Sequence, residues 1–300
     1  MSAAGAAAGT APFDGLVVVD KEPGWTSHDV VARCRRVFGQ RRVGHAGTLD
    51  PDATGVLLVG LGRVTRLLRF LGALPKAYVA DIVLGVATDT LDASGAVVGE
   101  WDMAGIGLEE ARSAASRLTG PIDQVPPMVS SVKVGGRRLH ALARQGLEVE
   151  RPARRVTVHR FDLAEGGEPG VLRAEIECSS GTYVRVLASD LGAALGGGAH
   201  VRNLRRQAVG SFSVAEARVV GALDPSAVLS PAEAMRDLDR VVVPEPVAQL
   251  VASGRSIERL GLGVRGHGPF ALVAEGGGLL AVYEEAPGDR LRPAVVLARR

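Results

Sequence analysis

The stretch Gly44-His45-Ala46-Gly47-Thr48-Leu49-Asp50-Pro51-Asp52-Ala53-Thr54-Gly55 concentrates polar, glycine-rich chemistry in one short piece of a 300-residue chain. Pro51 keeps Asp50 out of a helical conformation, and the neighbouring glycines let backbone approach a ligand closely. Asp50 is thereby presented from a loop, with the apolar run Val56 to Gly60 as a rigid support. A carboxylate placed in this way can act as a nucleophile if a pocket keeps it ionised and dry. Two other readings compete. An Asp-Pro turn would leave Asp52 as a solvated neighbour. Glycoside hydrolysis by Asp50 and Asp52 would need the two carboxylates on opposite sides of the scissile bond, and residues two apart in a Pro-containing loop are poorly placed for that.

The elements around this loop must hold it. Gly15 to Asp20 is a β-branched run ended by the turn signal Lys21-Glu22-Pro23-Gly24. Ser27 is then in place to cap a helix whose apolar residues, Val30, Val31, Cys34, Val37 and Phe38, recur at helical spacing until Gly39. Gln40 to Gly55 reads as one long loop, and ordered loops of that length are usually functional. Val56 to Gly60 reads as a buried strand, Val64 to Leu74 as a helix with a leucine stripe, and Ala77 to Leu84 as an alternating strand. Leu108 to Leu118 has the pattern of an amphipathic helix. Val156 to Leu163 and Leu172 to Cys178 read as a strand pair, Tyr183 to Leu195 as a helix, and Val201 to Val209 as a further strand. Asp224 to Asp239 has the composition of a linker-like helix, and the Gly-rich remainder reads as short strands. Three segments follow: a disordered leader over 1–13, a catalytic domain over 14–239, and a small β-rich domain over 240–300.

With 46% apolar residues the chain can bury a substantial core, and its net charge of +2 permits an RNA partner without demanding one. Apolar runs such as Gly55 to Leu61 fall short of the roughly 20 residues that cross a bilayer, and the Ala/Gly-rich start lacks the features of a secretory signal. A cytoplasmic protein with no membrane association is expected. Cys34 and Cys178 make neither a disulfide framework nor a metal set and read as buried thiols. There are only three lysines, Lys21, Lys76 and Lys133, against an arginine-dominated positive charge. Each lysine therefore marks a place where a compact ammonium suits better than a planar guanidinium.

The motif Gly-His-x-Gly-Thr-Leu-Asp-Pro-x-Ala-x-Gly-Val-Leu resembles the signature of the TruB-type pseudouridine synthases, whose aspartate attacks the target uridine. Further segments resemble that family's motifs in the order it requires. They are Val19-Asp20-Lys21-Glu22-Pro23-Gly24-Trp25-Thr26-Ser27, Lys76-Ala77-Tyr78, Ser130-Ser131-Val132-Lys133, Gly181-Thr182-Tyr183-Val184-Arg185, and Gly198-Ala199-His200-Val201 with Leu204-Arg205-Arg206. The likeness covers Gly15 to Val214. It departs at His140, where the family usually has tyrosine.

The resemblance implies an α+β fold, with a mixed, mainly antiparallel sheet flanked by helices around a central catalytic cleft and a small β-rich, PUA-like C-terminal domain that binds RNA in many relatives. It implies isomerisation of a uridine to pseudouridine at position 55 in the T-loop of tRNA, with no cofactor and no metal. Asp50 would be the nucleophile, Arg185 the guanidinium paired with it, and Tyr78 the residue beside the base, stacking or helping the C5 proton leave. Tyr183, Leu204, Asp92 and Lys21 would contact or hold the substrate, and His45 would fill the space left by the extruded base or stack on its neighbour. Arg35, Arg36, Arg41 and Arg42, with Arg202, Arg205 and Arg206, would form a phosphate footprint for the tRNA T-arm. A monomer is expected. The rival is a catalytically idle RNA-binding module or guide-RNA scaffold of related fold, which would need no ionised Asp50.

Overall fold

A computed structural model describes residues 13–297 except 131, 132, 135, 140, 141, 143, 144, 146, 148 and 265. His140, Ser131, Val132 and the expected leader up to residue 12 therefore lie outside the described residues.

The apolar run Leu16–Val19 forms β1 (Gly15–Lys21), buried on both faces. It is followed by α1 (Ser27–Val37), β2 (Val43–Ala46), β3 (Thr54–Leu61) and, after a 3-10 turn at Gly62–Arg66, α2 (Leu68–Ala73). β4 (Lys76–Leu84) leads through the hairpin β5 (Val86–Thr88) and β6 (Val97–Glu100) to α3 (Leu108–Arg117) and β7 (Gly120–Gln124). The two-residue strands β8 (Lys133–Val134) and β9 (Arg137–Arg138) precede the long pair β10 (Arg154–Glu165) and β11 (Val171–Cys178). Next come α4 (Val184–Ala194), β12 (Ala199–Val209), β13 (Phe212–Ser213), β14 (Arg218–Val219) and α5 (Pro231–Ala234). The chain ends with β15 (Asp239–Val243), α6 (Glu245–Ala252), β16 (Ile257–Glu258), β17 (Phe270–Ala274), β18 (Leu279–Ala286) and β19 (Arg290–Val296).

The fold is α+β. A ten-stranded sheet runs β14-β1-β3-β12-β4-β11-β10-β7, with β2 on β3 and β13 on β12, and a five-stranded sheet runs β15-β17-β18-β19-β16. In the large sheet only β1 with β14 and β3 with β12 pair in parallel. The parallel β3–β12 contact matters most, because the end of β3 nearest Asp50 meets β12 there, at Thr54 opposite Arg205 and Gly55 opposite Arg206. The β12–β4 register then slips between Arg202 and Arg205, where Asn203 takes φ 54°. Such irregularities re-aim side chains, and this one sets Leu204 in the cleft wall.

Gly55 is required at this junction. It holds φ 100°, and a Cβ built on it would lie 2.1 Å from the Arg206 carbonyl oxygen. Gly55→Ala is expected to cost roughly 3 kcal/mol or more of stability, read as a lowered calorimetric melting temperature.

Four expectations are corrected by the structure. The long loop 40–55 contains a strand, β2, because Val43 and Ala46 bury against α1 and α2 while the backbone pairs with β3. α1 is capped by Thr26 rather than Ser27: the Thr26 hydroxyl accepts from the Asp29 amide at 3.1 Å and the Asp29 carboxylate accepts from the Thr26 amide at 2.9 Å, a capping box. The expected helix 64–74 is broken into the 3-10 turn and α2. In a 3-10 turn residues three apart are eclipsed, which lets Arg63 and Arg66 both donate to the end of the second sheet, at the Leu297 and Val296 carbonyls. The linker-like helix 224–239 is only the four-residue α5 and one 3-10 turn at Pro225–Ala227, held open by Pro225 and Pro231.

Apolar residues of the two sheets share one core. Leu16, Val18, Val56, Leu58 and Phe212 of the large sheet pack with Ala271, Val273, Val282 and Val295 of the small one. A salt bridge from Arg69 to Glu284 at 3.2 Å adds a surface tie.

Candidate active site

The Asp50 loop is clamped from behind by the segment that follows β1. The Lys21 ammonium is fully buried and donates to the carbonyls of Glu22 at 3.0 Å, Trp25 at 2.7 Å and Pro51 at 2.7 Å. Gly24 donates its amide to the Pro51 carbonyl at 3.0 Å. Ser27, released from capping, donates its hydroxyl to the Leu49 carbonyl at 3.2 Å and accepts the Leu49 amide at 3.0 Å. Thus Asp50 sits between two residues whose backbones are tied down. Burial drives the Lys21 pKa down to about 8 against the opposing charges of Asp52 and Asp50. With three donors spent on carbonyls, Lys21 holds the loop and lines neither cavity described below.

On the other side of the cleft, α4 presents Arg185, 3% exposed despite its place on the first helical turn. Its Nε lies 3.1 Å from Asp50 Oδ2, and its Nη1 lies 3.2 Å from Asp92 Oδ2. The same guanidinium donates to the Thr90 carbonyl at 2.9 Å and the Val129 carbonyl at 2.8 Å. Four acceptors therefore fix one fork, which an ammonium cannot reproduce. Asp92 is oriented in turn by the Thr90 hydroxyl at 2.7 Å and by the Ser94 amide and hydroxyl at 3.1 and 2.6 Å. Gln124, 2% exposed, holds the start of α4 by accepting the Tyr183 amide at 3.0 Å and donating to the Tyr183 carbonyl at 3.3 Å.

Two cavities, of about 370 and about 210 Å³, meet at Asp50 and share Ala53, Arg185 and Leu204 in their walls. The larger alone falls within the range of roughly 300–1,000 Å³ typical of small-ligand sites. It is walled by Asp52, Asp92, Val129 and Asn203 among others, and the smaller by Lys76, Tyr78, Ser130, Tyr183 and Arg206. The Asp50 side chain is 40% exposed, but into this walled cleft. The packed walls raise its pKa above the usual carboxylate range, and Arg185 opposes that rise without cancelling it. Tyr78 is buried enough to push its phenol up as well, against the pull of the nearby Arg206 guanidinium.

His45 stands on β2 and lines neither cavity. Its ring meets that of His28 edge to face at 5.5 Å, its Nδ1 is buried with no hydrogen-bond partner, and burial lowers its pKa to about 4. It is therefore neutral at physiological pH. Asp50, Arg185, Asp92, Tyr78, Tyr183 and Leu204 are thus gathered at one cleft, with Lys21 and His45 behind its floor. Among the described residues no cluster of three His, Cys, Asp or Glu side chains could hold a metal ion.

One arginine of the second basic group, Arg206, departs from the expected phosphate footprint by its burial. Arg202 pairs with Glu168 at 3.0 Å, Arg205 with Asp20 at 2.8 Å, and Arg206 is 1% exposed. In an arginine-rich sequence nothing distinguished the buried Arg206 from a surface charge, and the slip in β12 shifts the alternation that would have shown which way it points. Gln124 carried no signal either, lying within the proline-broken stretch Pro121 to Pro127.

A family model described as TruB family pseudouridylate synthase (N terminal domain) matches residues 35–184, and one described as tRNA pseudouridylate synthase B C-terminal domain matches residues 185–248. The chain belongs to the TruB family. Among its TruB relatives, the tRNA pseudouridine synthase B of Rhodococcus jostii (strain RHA1) is 46% identical over 278 residues, covering 90% of each chain. That of Nocardia farcinica (strain IFM 10152) is 45% identical over 96% of this chain and 95% of its own. Two solved structures share the TruB-like fold: chains of an H/ACA RNP bound to a substrate RNA containing 2'-deoxyuridine and of a Cbf5-Nop10-Gar1 complex. Each superposes with a TM-score of 0.72 over 95% of this chain, covering 86% and 84% of the respective chain, at 22% and 24% identity.

Proposed function

We propose that this TruB-family protein isomerises uridine to pseudouridine at position 55 in the T-loop of tRNA, with Asp50 as nucleophile. The observation that carries the reading is the Asp50 carboxylate, facing a cleft and paired at 3.1 Å with a buried Arg185. Reaction begins with Asp50 attacking the nucleoside. The glycosidic C1′–N1 bond breaks, the uracil turns in the cleft, C1′ rejoins through C5, and the C5 proton leaves as Asp50 is released. No atoms or electrons enter beyond exchange of that proton, so the chemistry asks for no redox group or energy source. In this reading Tyr78 and Leu204 bracket the ring and Tyr183 lies beside it, which their shared place in the wall of the smaller cavity supports. Asp92 keeps Arg185 in position.

The target base must first leave its stack, at a cost of about a few kcal/mol that RNA contacts offset. Exposed Arg35, Arg36, Arg41 and Arg42, beside the active loop, are assigned to phosphates of the T-arm. A cytoplasmic monomer acting without cofactor is part of this proposal, as is the division into a catalytic part over 14–239 and a β-rich part over 240–300. The idle-scaffold alternative leaves the clamped Asp50 and the four-acceptor fork of Arg185 without a purpose.

The test is release of tritium from unmodified tRNA carrying 5-tritiated uridine, in the presence of EDTA and with no added nucleotide. Tritium appearing in water in step with pseudouridine at the T-loop position is the expected result. Activity that vanishes with the chelator and returns with a metal would overturn the mechanism.

A further inference from the structure

We infer that Arg206 is a positioning residue for this reaction, setting the Tyr78 phenol and the Asp50 loop with a single buried guanidinium. The inference rests on the proposed isomerisation. Arg206 lies in β12 where three strands of the large sheet meet, opposite Gly55 of β3 and Tyr78 of β4. Its Nε donates to the Val56 carbonyl at 2.7 Å and its Nη2 to the Gly47 carbonyl at 3.1 Å. These partners are two carbonyls, not a carboxylate. A buried cation held only by neutral acceptors is costly to maintain, and a hydrophobic residue of similar length would fill the same space.

The geometry shows what that charge can do. Gly47 and Val56 lie on either side of Asp50, one at each end of the loop that carries it. The guanidinium spans the two ends and fixes the loop at points other than the Pro51 carbonyl that Lys21 holds. Tyr78 is its cross-strand neighbour, so the guanidinium and the phenol share one face of the sheet. Tyr78 lines the smaller cavity together with Arg206 and Asp50. Tyr78 thus stands beside a fixed cation that favours its phenolate, the form able to take up the C5 proton and become a neutral phenol. Sequence position hides this role, because Arg206 follows the paired, partly exposed Arg205.

The experiment is a double-mutant cycle of Arg206→Lys with Tyr78→Phe, read by single-turnover pseudouridine formation and by tRNA binding. Wild-type activity in the same assay comes first: without it the proposed reaction fails, whatever Arg206 does. Given wild-type turnover, Arg206→Lys is expected to slow the chemical step about 10²-fold while the tRNA Kd moves by less than about threefold. In the Tyr78→Phe background the same substitution should cost less than about tenfold, since the phenol it serves is gone. Should the lysine variant not fold, Arg206→Met removes donors and charge together and leaves no unpaired cation in the core. Equal costs in both backgrounds, or a loss confined to tRNA binding, would overturn the proposal. Failure of both variants to fold would do the same, since it would make Arg206 a purely structural residue.

Discussion

Asp50→Asn is expected to reduce turnover by at least about 10⁴-fold, to the background of the tritium-release assay, while tRNA affinity stays within about threefold of wild type. Asparagine keeps the volume and one carbonyl oxygen but cannot form the covalent bond the reaction requires. Binding should survive because the loop does not depend on the carboxylate for its shape. Pro51 is tied to Lys21 and Gly24, and Leu49 to Ser27, all through backbone groups. Arg185 would also keep its bonds to Thr90, Val129 and Asp92 when Asp50 is neutral. The check is paired: filter binding of unmodified tRNA alongside single-turnover kinetics. Turnover within a hundredfold of wild type would remove Asp50 from the role of nucleophile.

The residues that do chemistry were more legible in the sequence than those that hold them. Asp50 announced itself because a proline and flanking glycines act locally on backbone conformation, and local effects are written in neighbouring residues. The strands read from apolar runs, β1, β3, β4, β10, β11 and β12, are all present, since each is buried on at least one face of the large sheet. The family motifs added Arg185, Tyr78, Tyr183 and Leu204 to the same cleft, which no local rule could do. What remained hidden is tertiary. Ser27 looked like a cap because caps and loop clamps use the same hydroxyl, and only the fold shows Thr26 taking the first task. Arg206 looked like one of many surface arginines, and Gln124 like nothing in particular, because burial by distant strands leaves no trace at their own positions. The shared core beneath the two sheets was invisible for the same reason: residues about two hundred positions apart, such as Val56 and Val273, meet only after folding.

Arg185 supplies the second large effect, and two substitutions separate its charge from its shape. Arg185→Lys retains a cation but offers an ammonium where the fork serves Asp50, Asp92, Thr90 and Val129 together. Misplacement of Asp50 relative to the nucleoside is expected to slow the chemical step by about 10²- to 10³-fold. Arg185→Gln removes the charge as well, and its signature is in the pH profile. Catalysis needs Asp50 deprotonated, and burial already holds its pKa above the ordinary carboxylate range while Arg185 opposes the shift. The sign follows directly: the rate of the wild-type enzyme rises with pH through that elevated pKa, and losing the guanidinium moves the limb higher still, because desolvation then acts with less opposition. Arg185→Gln should therefore recover part of its deficit as the pH is raised, whereas Arg185→Lys, with a cation still near the carboxylate, should show a limb close to that of wild type and a deficit nearly independent of pH. Single-turnover rates from pH 5 to 9 measure both. If the two variants gave superimposable pH profiles, the guanidinium would act on Asp50 through geometry alone, and its electrostatic part in keeping the nucleophile ionised would have to be abandoned.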